Sequence, residues 1–205
     1  MIAVITGDVV HSRALQPEQW LKHLKEGLGL FGVSPVDWEI FRGDSFQLKT
    51  SAEDALLHAL TLKAWMKYFR QIDVRMSIGV GVQSFDNNVI TEGNGSAFEL
   101  SGAGFDALGK RNLIINTPDP QLNDTLRVMC NLSLLIMDKW SERTAEAIYV
   151  KLRHPQLSQA GIAAVLNKKA QGNISEALKR GGFDEVHEFI LYYNQEIRKY
   201  VATAF

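Results

Sequence analysis

"VDWEIFRGDSFQLKT", residues 36 to 50, sets two short apolar runs on either side of Arg42-Gly43-Asp44. Gly beside polar residues lets a chain reverse tightly. The stretch therefore reads as two strands, "VDWEIF" and "SFQLKT", joined in a hairpin. Asp44 lies at the tip, where its carboxylate either helps the turn or holds a ligand.

The elements around the hairpin are legible on both sides. Upstream, "IAVIT" is a β-branched run ending at Gly7, a buried strand. "PEQWLKHLKEGLGLF" then carries Trp20, Leu21, Leu24, Leu28 and Phe31 at helical spacing, with Pro17 suited to the first turn. Downstream, Ser51 and Asp54 form an approximate capping box for a helix running to about Phe69. "VRMSIGVGVQ" alternates Val74, Met76, Ile78, Val80 and Val82 with Arg75, Ser77, Gly79 and Gly81, which predicts a strand with one buried face. "EGNGSAFELSGAGFDALGK" is a Gly-rich loop entering a helix that ends near Gly109 and Lys110, and "NLIIN" is a last short strand.

The first six of these elements give the β-α-β-β-α-β order of ferredoxin-like folds. Packing then predicts an α+β region whose sheet carries its helices on one face. "NTPDPQ", residues 116 to 121, breaks this region off, since two prolines in three residues interrupt structure and Asp119-Pro120 starts a helix. The boundary is expected at 118, with a sheet domain over 1–118 and an all-α domain over 119–205. The long helix after the boundary is expected either to pack back on the sheet or to stand apart.

Composition bounds what the chain can do. With 205 residues, 46% hydrophobic and 22% charged, it can bury a real core. A net charge of −1 gives no global pull toward nucleic acid or membrane, so any basic surface is local. The single cysteine, Cys130, lies in an apolar stretch. It excludes an intramolecular disulfide framework, reads as a buried inert thiol and fits a reducing cytoplasm. The first residues, "MIAVITGDVVHSR", carry no signal-peptide pattern, and no apolar run reaches the ~20 residues of a membrane span. The expectation is a soluble, cytoplasmic protein with no membrane partner.

The all-α segment has its own grammar. In "LSQAGIAAVLNKKAQGNISEALKRGGFDEV" a short helix opens at Ser158 and Gln159 and turns Ile162, Ala163 and Leu166 inward. After the turn "NKKAQG", a second helix turns Ile174, Ala177 and Leu178 inward. Two short helices crossing at small residues make a helix-turn-helix, about 156–180. Lys151, Arg153, Lys168, Lys169, Lys179 and Arg180 face a single acid, Glu176. Such a cationic pair suits the phosphates of DNA. Lys168, Lys169, Lys179 and Arg180 are the expected phosphate contacts, and Gln171 and Asn173 would reach base edges from the start of the second helix. A solvated helical hairpin is the alternative. Reading paired half-sites requires a homodimer.

Asp8 and Asp44 raise a different chemistry. Asp8 follows the first strand and Asp44 ends the hairpin, so both acids are expected at one edge of the sheet. Paired carboxylates repel unless a cation sits with them. Mg²⁺ binds through one or two carboxylates plus phosphates. The backbone N–H groups of Val9 to Ser12, entering the first helix, are candidate phosphate ligands, with Arg13 adding a charge-assisted contact.

On these residues the chain resembles a known group. "ITGDVV", "FRGDSFQL", "RMSIGVGV" and "EGNGSAFEL" are similar to the catalytic domains of class III nucleotidyl cyclases over about residues 1 to 117. The resemblance implies a metal role for Asp8 and Asp44 and a possible nucleotide ligand. The whole chain, with its helix-turn-helix, resembles the SatD-like family of bacterial regulators. One departure matters. Cyclases carry an Asn and, four residues later, an Arg on the helix after the Gly-rich loop, and "GSAFELSGAGFDAL" holds neither. Losing such electrostatic stabilisers costs orders of magnitude in rate. The resemblance therefore implies binding rather than catalysis in the sheet region, with a divergent Mg²⁺-dependent nucleotidyl cyclase or other phosphoryl-transfer enzyme as the alternative. No P-loop, dinucleotide fingerprint or nucleophile elbow is present.

Overall fold

The computed structural model describes residues 1–10, 12, 16–69, 72–167 and 171–203, the side chains of 171 and 172 excepted. It is a mixed α+β structure with five strands and, among the described residues, eight helices. The sheet comprises β1 (Ile2–Val10), β2 (Trp38–Phe41), β3 (Ser45–Ser51), β4 (Asp73–Gly81) and β5 (Leu113–Asn116). Its order is β2-β3-β1-β4-β5, antiparallel throughout except for the parallel β4–β5 pair at the edge.

The hairpin forms where the sequence places it. Arg42 and Gly43 both take positive φ, 51° and 90°, which is the twist a tight hairpin needs and which Gly accepts without strain. Beyond β3, the Ser51 hydroxyl accepts from the Asp54 amide and donates to its carboxylate, but this turn precedes the helix: Ser51 ends β3, and α2 (Ala55–Tyr68) is capped at Asp54 without a side-chain bond, so Ser51 is not its N-cap. Pro17 opens α1 (Pro17–Leu28).

The sheet differs from expectation in having both faces covered. Met76, Ile78 and Val80 face the main core with Ala3 and Ile5, under α2. Ser77, Gly79 and Gly81 face α3 (Ser96–Asp106), which lies across β4 and β1. A Cβ on Gly79 would strike the Ala97 carbonyl and the Ser101 amide, so the missing side chain is what lets α3 approach. Thr6 Oγ1 and Ser101 Oγ, 2.9 Å apart, tie β1 to α3 on this side. The Ser/Gly half of the β4 alternation marks a close helix contact, not a solvated face.

Beyond residue 118 come α4 (Pro120–Met137), α5 (Glu142–Arg153), α6 (Gln159–Val165), α7 (Gln171–Arg180) and α8 (Phe183–Thr203). Asp119 caps α4 by accepting from the Gln121 and Leu122 amides. The long helix α4 packs back on β5, and α5 packs on α2. One continuous cluster of buried side chains runs from the sheet through Leu56 and Leu60 to Leu126, Ile148, Phe189 and Ile197. Tyr193 of α8 donates a buried 2.8 Å hydrogen bond to the Ala52 carbonyl.

A polar knot pins this junction. Lys63, fully buried on α2, donates to both oxygens of Asp73 (2.9 and 3.0 Å) and to Asp138 Oδ1 (2.8 Å). Lys67 donates to Asp73 Oδ2 and to the Asp138 carbonyl, both at 2.9 Å. The Val74 amide gives Asp73 a further bond. Buried charges persist only when paired and hydrogen-bonded in this way. Cys130 is buried and its thiol is pushed up to about 12 by desolvation, which leaves it protonated and unreactive.

Candidate functional site

Two regions carry the chemistry that the sequence suggests. The first is the rim of the sheet where β1 ends. Register sets Asp8 opposite Ser45 on β3 and opposite Arg75 on β4. Directly opposed residues project to the same face. Asp44 is the neighbour of Ser45, and its carbonyl accepts the Val9 amide at 3.2 Å. The two acids therefore belong to adjacent strand ends.

The rim contains a cation of its own. Arg75 forks onto Asp8, with Nε to Oδ1 and Nη2 to Oδ2 both 2.7 Å. The hydrogen bonds it donates to Asp8 push the Arg75 guanidinium above its ordinary value; burial opposes them, and the charges of Asp8 and Asp44 add to the rise. Arg75 lies over the Phe105 ring of α3, 5.4 Å from its centre, which aims the guanidinium at the rim. Asp44 Oδ2 accepts from the Ser12 hydroxyl at 2.7 Å.

This geometry alters the phosphate reading. β1 runs on to Val10, so Asp8 lies within the strand instead of after it and Val9 and Val10 are strand residues; Ser12 sits in a 3-10 turn, and α1 opens at Pro17. The Val9 N–H is already engaged by the chain. Ser12 holds Asp44, and Arg13 lies outside the described residues. Among the described residues, no three His, Cys, Asp or Glu side chains gather in metal-binding geometry. A Mg²⁺ ion would find Asp44 Oδ1 here, with both Asp8 oxygens bound by Arg75. The donor set fits the ion only with the Arg75 fork opened. Arg75 is the residue the sequence reading missed, because its role depends on a cross-strand register between positions 67 residues apart.

The second region is the α6–α7 pair. Ser158 caps α6 by accepting from the Gly161 amide at 3.2 Å. Ile162 and Ala163 of α6 and Ile174 and Leu178 of α7 are buried, as their spacing predicts. This anchoring turns Asn173, Glu176, Lys179 and Arg180 to solvent. Arg180 makes an exposed 3.4 Å pair with Glu176, too weak to immobilise it. Lys168 and Lys169 lie outside the described residues, as does the side chain of Gln171, whose backbone begins α7. Lys151 is not part of this surface: its ammonium donates to the Pro155 and Leu157 carbonyls at 2.8 Å each and ties the α5–α6 connection. Trp140 Nε1 donates to the Gly181 carbonyl at 2.8 Å and fixes the end of α7 against α5.

No helix among the described residues is long and apolar enough to cross a membrane. No family model, curated protein or solved structure matches the chain.

Proposed function

We propose that this protein is a DNA-binding transcriptional regulator of the SatD-like kind, in which α6 and α7 form a helix-turn-helix and the sheet region senses a ligand or joins two copies. The observation that carries the reading is the fixed presentation of α7: Ile174 and Leu178 anchor it, and Asn173, Lys179 and Arg180 face outward along its free side. Cations there would meet phosphates, and Asn173 and Gln171, near the helix start, would meet base edges. The sheet's strand order and directions agree with a ferredoxin-like, nucleotidyl cyclase-like topology extended by β5. The functional division falls at residue 118, while the apolar core runs through it. Arg75 on Asp8 supports a sheet region that binds rather than catalyses. A gel-shift over genomic fragments tests the reading. Retention that weakens as salt rises is expected. Folded protein that retains no fragment at low salt overturns it.

One observation favours a second reading, a divergent Mg²⁺-dependent nucleotidyl cyclase or other phosphoryl-transfer enzyme: the register brings Asp8 and Asp44 to one rim. Bound there, Mg²⁺ would neutralise phosphate charge. In that state Asp8 and Asp44 would be its protein ligands and Arg75 would turn to the substrate phosphates. Turnover of ATP or GTP that is lost in Asp8→Ala supports this reading; no nucleotide binding by calorimetry in the presence of Mg²⁺ eliminates it.

A further inference from the structure

Helix α4 is apolar on two sides, and only one side is covered. Leu122, Leu126, Cys130, Leu134 and Met137 point into the protein. On the opposite side Val128, Leu132 and Leu135 stand 50%, 61% and 64% exposed. Their spacing of four and three residues sets them in one stripe along the helix. Exposed Thr125, Arg127 and Asn131 flank this second stripe, and an exposed apolar patch rimmed by polar residues marks an interaction surface.

The stripe has charged ends of opposite sign. Asp124 lies one turn before Val128, and Lys139 lies four residues after Leu135; both are exposed. The pair that Asp124 makes with Arg127 is itself solvent-exposed and easily exchanged. We infer that α4 is a homodimer interface, in which the stripe of one copy packs antiparallel on the same stripe of a second copy. A two-fold axis between Asn131 and Leu132 brings Val128 of one copy against Leu135 of the other. The same axis sets Asp124 of one copy against Lys139 of the other, twice. A parallel arrangement would instead oppose Asp124 to Asp124. An isologous contact of this kind closes on itself and stops at two copies. The pairing deepens the reading of the protein as a two-copy DNA reader and rests on it for its purpose. Its test reads mass and cross-links instead of DNA, so either can fail alone.

The test has two arms. Sedimentation velocity of the full chain at micromolar concentration is expected to give a dimer, and Leu132→Glu is expected to weaken the association at least about 100-fold while leaving the circular dichroism spectrum unchanged. In the second arm, the double variant Asp124→Cys/Lys139→Cys is oxidised. Asp124 lies on α4 and Lys139 in the turn just after its last residue, Met137; the intervening helix alone separates them by about 20 Å, beyond the reach of a disulfide, so a covalent dimer on a non-reducing gel reports antiparallel contact between copies. Each single variant is expected to stay uncross-linked. A monomer at every concentration overturns the proposal, and so does cross-linking of the single variants as readily as the double.

Discussion

Arg75 holds Asp8 by both carboxylate oxygens, at 2.7 Å each, across the β1–β4 register. The pair is partly exposed, with side-chain exposures of 38% and 17%, so solvent screens it. Arg75→Met should cost about 1 kcal/mol in urea unfolding. It should also free Asp8: millimolar Mg²⁺ is expected to raise the melting temperature of the variant more than that of the wild type. An equal response in both would show that Arg75 does not guard the rim.

The buried knot of Lys63, Lys67, Asp73 and Asp138 should be far less forgiving. Asp73 accepts from both lysines, and without it Lys67 keeps, among the described residues, the Asp138 carbonyl. Asp73→Ala is expected to destabilise the fold by about 3–5 kcal/mol, because it strands buried ammonium charge. Asp138→Ala, at the more open end of the knot, should cost less. Chemical denaturation of the two variants gives the comparison.

Gly79→Ala tests the closeness of α3 to the sheet. The added methyl meets α3 backbone, which cannot turn aside as a side chain would. A loss of about 1–3 kcal/mol or more is expected. The neighbouring Gly102→Ala, whose methyl enters open space, should be neutral or stabilising. Thermal melts of the pair check this.

Stability should fall on mild acidification. Burial lowers the His23 imidazole below its ordinary 6.5, against the Trp65 carbonyl and Glu26, which raise it. Burial likewise lowers His58, with Asp54 opposing and Arg153 assisting. The fold therefore keeps both rings neutral, while the unfolded chain takes up protons near 6.5. Their contribution is complete above that value and is lost as pH drops through it toward the depressed folded values. Urea midpoints at about pH 7.5 and about pH 5.5 should differ, and the difference should shrink in His23→Phe, which keeps the stacking on Trp65 and Phe69.

On α7, Lys179→Ala and Arg180→Ala should each weaken DNA retention across all sequences and reduce the salt slope by about 1. Asn173→Ala should instead relax preference at a base position. Fluorescence anisotropy against salt separates these effects. Identical slopes in wild type and both cation variants would remove α7 from the contact surface.

How far the sequence speaks depends on the distance over which a signal acts. The hairpin at Arg42-Gly43, the Asp119-Pro120 helix start and the inward faces of α6 and α7 are written in neighbouring residues, and each appears where local chemistry puts it. The Asp8–Arg75 fork is not local: it exists only once two strands have found their register. The second covered face escaped for a related reason. Ser77, Gly79 and Gly81 look like the polar half of an alternation, and only the arrival of α3 shows that their smallness serves close packing. Lys63 and Lys67 sit on a helix as if for solvent, and become core because Asp73 and Asp138 converge on them.

The bond from Tyr193 to the Ala52 carbonyl joins positions 141 residues apart in the chain. A ribosome releases Ala52 long before the tyrosine that will cover it, so the nascent sheet must keep that carbonyl wetted until α8 has been synthesised. Premature termination upstream of α8 would leave this seam open and greasy, a mark that chaperones and proteases recognise.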